Sequence, residues 1–183
     1  MPAIRPALLR PGLFALLLSL VCLPGRPVLA GDWSVGNAPG GDASAKAATT
    51  TNSDGEALYI WAKHLEDRSL IFAELHLSEG DEFAGRMPIY RIDDGPIIDT
   101  EMVRREGEKQ GSLWGFVAGR ASFWLLWSSN QPTVDPSDHL AKWMDGKALR
   151  ITYQDSDGSQ KIAAFDLEGA RKAIETATGV SEQ

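Results

Sequence analysis

Two runs of apolar–polar alternation, joined by a short charged turn, constrain this chain more than any other feature. Leu58, Ile60 and Ala62 alternate with Tyr59, Trp61 and Lys63. After Glu66-Asp67-Arg68, Ile71, Ala73, Leu75 and Leu77 alternate with Phe72, Glu74 and His76. A side-chain period of two belongs to a half-buried strand, because successive strand residues face opposite sides. The stretch 57–77 therefore reads as a β-hairpin.

The same pattern returns downstream. Met87 to Asp93 and Ile97 to Val103 are candidate strands, split by Asp94-Gly95-Pro96. Leu113 to Ala118 and Ala121 to Trp127 read as a second hairpin around Gly119-Arg120, rich in the aromatics that suit a pleated surface. Leu149, Ile151 and Tyr153 alternate with Arg150 and Thr152, and Ala163, Phe165 and Leu167 answer them beyond an Asp155-Ser156-Asp157-Gly158 turn. Two short helices interrupt the strands late in the chain. Asp135 and Pro136 suit a helix start, Leu140, Trp143 and Met144 share one face, and Gly146 suits a left-handed end. Glu168 to Thr178 carries Ala170, Ile174 and Ala177 on one stripe and ends at Gly179. Strands do not alternate with helices, which disfavours a parallel sheet. The expected class is mainly β: an antiparallel β-sandwich or curled sheet with two short helices near the C-terminal end.

The start of the chain is of another kind. Arg5 and Arg10 precede an apolar run from Leu13 to Leu23, Pro24 and Pro27 break it, and Val28-Leu29-Ala30 offers a peptidase site. Residues 1–30 are expected to be a cleavable signal peptide. The apolar run is too short for a spanning helix, which needs about 20 residues. Lipidation at Cys22 would need a small residue where Val21 stands. Residues 31–56 read as a loop-rich N-terminal segment and 57–183 as the β-rich domain, with 31–183 one folding unit and no membrane span after cleavage.

Three of the 18 basic residues (Arg5, Arg10 and Arg26) and none of the 25 acidic ones lie in the signal, so its removal takes the net charge from −7 to −10. Nucleic acid is disfavoured as a partner, because phosphate binding needs clustered Lys and Arg. A basic protein partner fits better. The single cysteine, Cys22, leaves with the signal, which excludes thiol catalysis and cysteine-bound zinc in the mature form. No feature calls for a cofactor or fixes an oligomeric state.

A short helix, then Asp145-Gly146-Lys147-Ala148-Leu149-Arg150-Ile151-Thr152-Tyr153, then a Gly turn and Ala164-Phe165-Asp166-Leu167-Glu168-Gly169-Ala170-Arg171-Lys172-Ala173-Ile174, resembles the close of invasion-associated locus B proteins. Ala57 to Leu77 and Tyr90-Arg91-Ile92-Asp93-Asp94-Gly95 resemble that family's central hairpin and following strand. The resemblance spans about Trp33 to Ile174 and implies a small exported β-rich protein, periplasmic or loosely associated with the outer membrane. It supplies no catalytic motif. This chain departs from it in having no cysteine after residue 22.

Five residues stand out as binding candidates. Trp114, Trp124 and Trp127 belong to the aromatic hairpin, whose two faces both carry large apolar groups, so it forms either core or a partner surface. Asp93 and Asp94, with Asp99, form the densest acidic group, although Asp-Gly-Pro is also plain turn chemistry. Asp155-Ser156-Asp157-Gly158 opens like a calcium loop but lacks its later ligands, and a turn suffices. His64, His76 and His139 lack metal-site spacing, and Glu74 and His76 on one strand face suit a surface pair. No Gly-x-Ser-x-Gly elbow occurs, so a hydrolase has no visible constellation. The expected function is a non-enzymatic, exported protein-interaction module, envelope- or invasion-associated. The alternatives are a small-molecule or lipid carrier and a periplasmic inhibitor or immunity protein for a basic envelope enzyme.

Overall fold

The computed structural model describes residues 32–39, 45–64, 66, 69–86, 88–100, 120–129 and 138–180; for Ser69, Asp138 and residues 122–129 it describes the backbone. The chain is mainly β, with two antiparallel sheets and two late helices. The larger sheet holds β1 (Ser34–Asn37), β2 (Lys46–Thr51), β3 (Ala57–His64), β4 (Ser69–His76) and β7 (Arg120–Ser129), in that order. The smaller sheet holds β5 (Ile89–Ile92), β6 (Ile98–Asp99), β8 (Ala148–Gln154) and β9 (Gln160–Asp166), in the order β6-β5-β8-β9. Helix α1 (Asp138–Asp145) and helix α2 (Ala170–Thr178) complete the described elements. The chain passes from the large sheet to the small one, back through β7, and out again to β8 and β9.

The alternation in the sequence is the burial pattern of the sheets. Leu58, Ile60, Ala62, Ile71, Ala73 and Leu75 turn inward from the β3–β4 hairpin, whose register runs Ala57↔His76 to His64↔Ser69. Leu149, Ile151, Tyr153, Ala163, Phe165 and Leu167 do the same from the small sheet. One buried cluster joins both sets with Leu140, Trp143 and Met144 of α1 and Ala170, Ala173 and Ile174 of α2. Helix α2 lies against β2 and β3, and Gly179 ends it at a φ of 75°. That left-handed position is one glycine fills without a steric cost. Among the described residues no helix is long and apolar enough to cross a membrane.

One local expectation changes, and others are met only in part. The segment read as loop-rich contains β1 and β2. Its run of Ala and Thr forms a strand because Ala48 and Thr50 sit under α2 while β3 supplies the ladder, so a tertiary partner decides where local composition is neutral. Residues 121–127 form strand, as expected, within β7, which pairs with β4 and carries a register shift near Ile71. The other half of the expected hairpin, 113–118, lies outside the described residues, as does the end of the fourth candidate strand beyond Thr100. His64 and His76 stand at opposite ends of the β3–β4 ladder, so the hairpin separates them.

A buried polar network closes one end of the interface between the sheets. Glu56, 4% exposed, sits where the β2–β3 turn meets β8. Its carboxylate accepts from the Tyr153 hydroxyl at 2.5 Å and from Asn52 Nδ2 at 2.6 Å. Asn52 Oδ1 in turn accepts from the Glu56 amide at 3.0 Å. Burial, reinforced by the Glu56 carboxylate, holds the Tyr153 phenol protonated far above its usual range. Phe83 packs edge-on to Tyr153 at 5.3 Å. Outside it, Lys161 Nζ bridges Asp155 at 2.6 Å and Asp81 at 3.0 Å. The Asp155-Ser156-Asp157-Gly158 segment is a turn, and the Asp155 carboxylate is taken up by Lys161 and by the Ser156 amide at 2.7 Å.

Candidate functional site, an open cleft beside α1

The other end of β8 is built differently. β5 leaves the sheet at Ile92, and Asp93 takes a φ of 50°. Asp tolerates this conformation better than most residues. The Asp93 amide donates to the Ala148 carbonyl at 2.8 Å. Its carboxylate accepts from the amides of Ala148 at 2.9 Å and Lys147 at 3.1 Å. Asp93 thus latches the β5–β6 turn to the start of β8. The Gly95 amide closes the turn on the Ile92 carbonyl at 2.9 Å, and Asp94, Pro96 and Ile97 are pushed outward.

Helix α1 stands opposite this turn, and between them lies a cleft of about 370 Å³. Tyr90, Ile92 and Ile98 form apolar wall, Gly95 and Pro96 one rim, and His139, Lys142 and Asp145 the other. Gly146 lets the helix approach. A Cβ there would lie 2.5 Å from Ile92 Cγ2, 2.9 Å from Leu167 Cδ1 and 2.9 Å from the Lys142 carbonyl oxygen. The residue was expected to serve a left-handed helix end, but no positive φ occurs there. Close packing is what requires glycine at this position.

Tyr90 is 4% exposed and reaches across the cleft to His139, with 3.1 Å between Oη and Nδ1. Burial pushes its phenol up to about 12, with the adjacent Trp143 opposing the shift. The phenol is therefore neutral at physiological pH and can donate to Nδ1. The Trp143 ring packs edge-on to Tyr90 at 5.3 Å and anchors it from below. Asp145, on the helix rim, accepts from Arg171 Nε at 3.1 Å. Among the described residues no group of three His, Cys, Asp or Glu side chains could hold a metal ion.

Of the residues singled out from sequence, Asp93 lines the cleft and Asp94 is exposed beside it. Asp93 acts as a latch, so its carboxylate is committed to backbone amides. Trp124 and Trp127 lie in β7, where Trp124 stands opposite Phe72 in the register, and Trp114 lies outside the described residues. Glu74 and His76 do pair, at 3.0 Å on the outer face of the large sheet, next to the Tyr59 ring. Tyr90, His139, Lys142 and Ile97 were not identified from sequence. Tyr90 and His139 are 49 residues apart and share no local pattern. The one available signal was Ile97, an apolar residue following a Gly-Pro turn. Compared with known proteins, the chain matches no family model, no curated protein and no solved structure.

Proposed function

We propose that this protein is an exported, non-enzymatic binding module that takes an apolar side chain of a protein partner into the cleft beside α1. The observation that carries this reading is Ile97, which is 63% exposed and stands in the chain between Pro96 and Ile98, two residues that line the apolar-walled cleft. A large exposed aliphatic next to a concave apolar surface gives a partner both a knob and a hole, and such centres contribute most to protein–protein affinity. Export to the periplasm rests on the pattern of residues 1–30 and on the resemblance to invasion-associated locus B proteins. The acidity of the chain, −7 overall, favours a basic partner, an envelope enzyme held by an inhibitor being one such case.

The non-enzymatic reading rests on how the polar groups of the cleft are used. Asp93 is held by two amides, Asp145 by Arg171, and Tyr90 by His139. A neutral phenol and an imidazole without a nucleophile or an oxyanion site do not make a catalytic set.

The test is co-purification of partners from periplasmic extract with wild-type protein and with Ile97→Asp. The expected result is a partner recovered by the wild type and lost by the variant while the fold is retained. Equal recovery by both removes the cleft lip from the account. A small-molecule carrier is the second reading, favoured by the cleft volume, which lies near the lower end of the roughly 300–1,000 Å³ typical of ligand sites. Native mass spectrometry of freshly purified protein separates the two, since a carrier retains adduct mass and a protein-binding module does not.

A further inference from the structure

The outer face of the small sheet carries a charge arrangement that the fold does not explain. Arg91 on β5 stands directly opposite Arg150 on β8. Like charges directly opposite on neighbouring strands are destabilising, and the chain as a whole is acidic. Neither guanidinium makes an ion pair or hydrogen bond among the described residues. Two carboxylates share this face without answering them. Asp99 stands opposite Ile89 at the β6 edge, and the Asp166 carboxylate accepts from the Glu168 amide at 2.8 Å.

The neighbouring row is apolar. Ile89 faces Thr152, which faces Ile162, and Ile162 is 55% exposed. Beyond that row, Arg86, Gln154 and Gln160 border a hollow of about 310 Å³. A pair of forked donors thus lies beside a row in which Ile162 is exposed and Ile89 and Thr152 are half-buried. Two guanidiniums that repel each other are relieved by one oxyanion placed between them, and the planar fork suits carboxylate or phosphate oxygens.

The geometry points to an anion site: Arg91 and Arg150 bind the oxyanion head of a small amphiphile whose apolar part lies over Ile89, Thr152 and Ile162. This face is separate from the cleft, so the two sites stand or fall independently.

The test uses the full mature chain and follows backbone amide resonances at constant ionic strength. The probes are octanoate and octyl phosphate below their micelle concentrations, with octyl glucoside as the neutral control. Saturable shifts centred on Ile89, Arg91, Arg150 and Ile162 are expected with one or both anions, and whichever binds names the head group. Arg150→Gln is expected to weaken that binding by about tenfold, the loss of a charge-assisted fork. Arg91→Gln gives a second readout: its midpoint of thermal unfolding at low salt should rise above wild type, because the repulsion is gone. Equal binding of octyl glucoside, unchanged affinity in Arg150→Gln, or a lowered midpoint in Arg91→Gln would each overturn the site.

Discussion

The two ends of β8 show two ways of finishing the same sheet. At Tyr153 the strand ends in a network that satisfies a buried carboxylate from both sides and is sealed by the Phe83 ring and the Lys161 bridges. At Leu149 it ends beneath a cleft, where a tight turn and a glycine hold β5 and α1 close without filling the space between them. The sealed end uses polar groups to fix how the sheets meet. The open end commits Asp93 and Tyr90 to its own walls and leaves apolar surface, including Ile97, to solvent. A buried network is costly when any member is missing, whereas a half-open cleft can lose a contact to water. The difference teaches that the polar groups at the two ends serve the fold in different ways, one set by sealing an interface and the other by holding a cleft open.

The largest expected effect lies at the sealed end. Tyr153→Phe leaves the buried Glu56 carboxylate short of one donor and should lower stability by about 2–3 kcal/mol in denaturant unfolding. A loss under about 0.5 kcal/mol would show that water reaches Glu56 and that this end is not sealed. Next, Gly146→Ala forces a methyl against Ile92, Leu167 and the Lys142 carbonyl, which should cost about 2 kcal/mol and displace α1 from the β5–β6 turn. Broadened or shifted Ile92 and Lys142 resonances check the displacement.

A smaller effect is expected for Tyr90→Phe, about 1 kcal/mol, because His139 is partly exposed and water can replace the phenol. This variant also changes a pH profile. The folded-state phenol of Tyr90 titrates near 12, above the ordinary value of 10.0. Its contribution is therefore fully present below pH 10 and is lost as pH rises from 10 towards 12. Unfolding free energies from pH 9 to 12 should fall less steeply in Tyr90→Phe than in wild type, and parallel curves would remove the buried phenol from the account. The smallest effect on stability belongs to Ile97→Asp, within about 0.5 kcal/mol, since the side chain faces solvent. Its consequence is for binding alone.

Much of the fold was legible in the sequence because a period of two records which residues turn inward. Leu58 to Leu75 and Leu149 to Leu167 report their own burial, and Asp-Gly and terminal Gly residues mark their own turns. β2 was not legible, because Ala47 to Thr51 carries no alternation of its own and becomes strand by pairing with β3. Gly146 was read as glycine for the wrong reason, since a tight approach from Ile92 and Leu167 is a property of three distant segments. The cleft was least legible of all. Asp93 stood out by charge and proved to be a latch, while Tyr90 and His139 meet only through the fold.

The central claim is that the open end of β8 recognises a partner and the sealed end does not. Site-specific photo-crosslinking in cells tests it most directly, with the reactive residue placed at Ile97 beside the cleft or at Ser156 beside the sealed end. The account expects a discrete crosslinked species from position 97 and none from position 156. Crosslinks of equal strength from both positions, or from 156 alone, would contradict it.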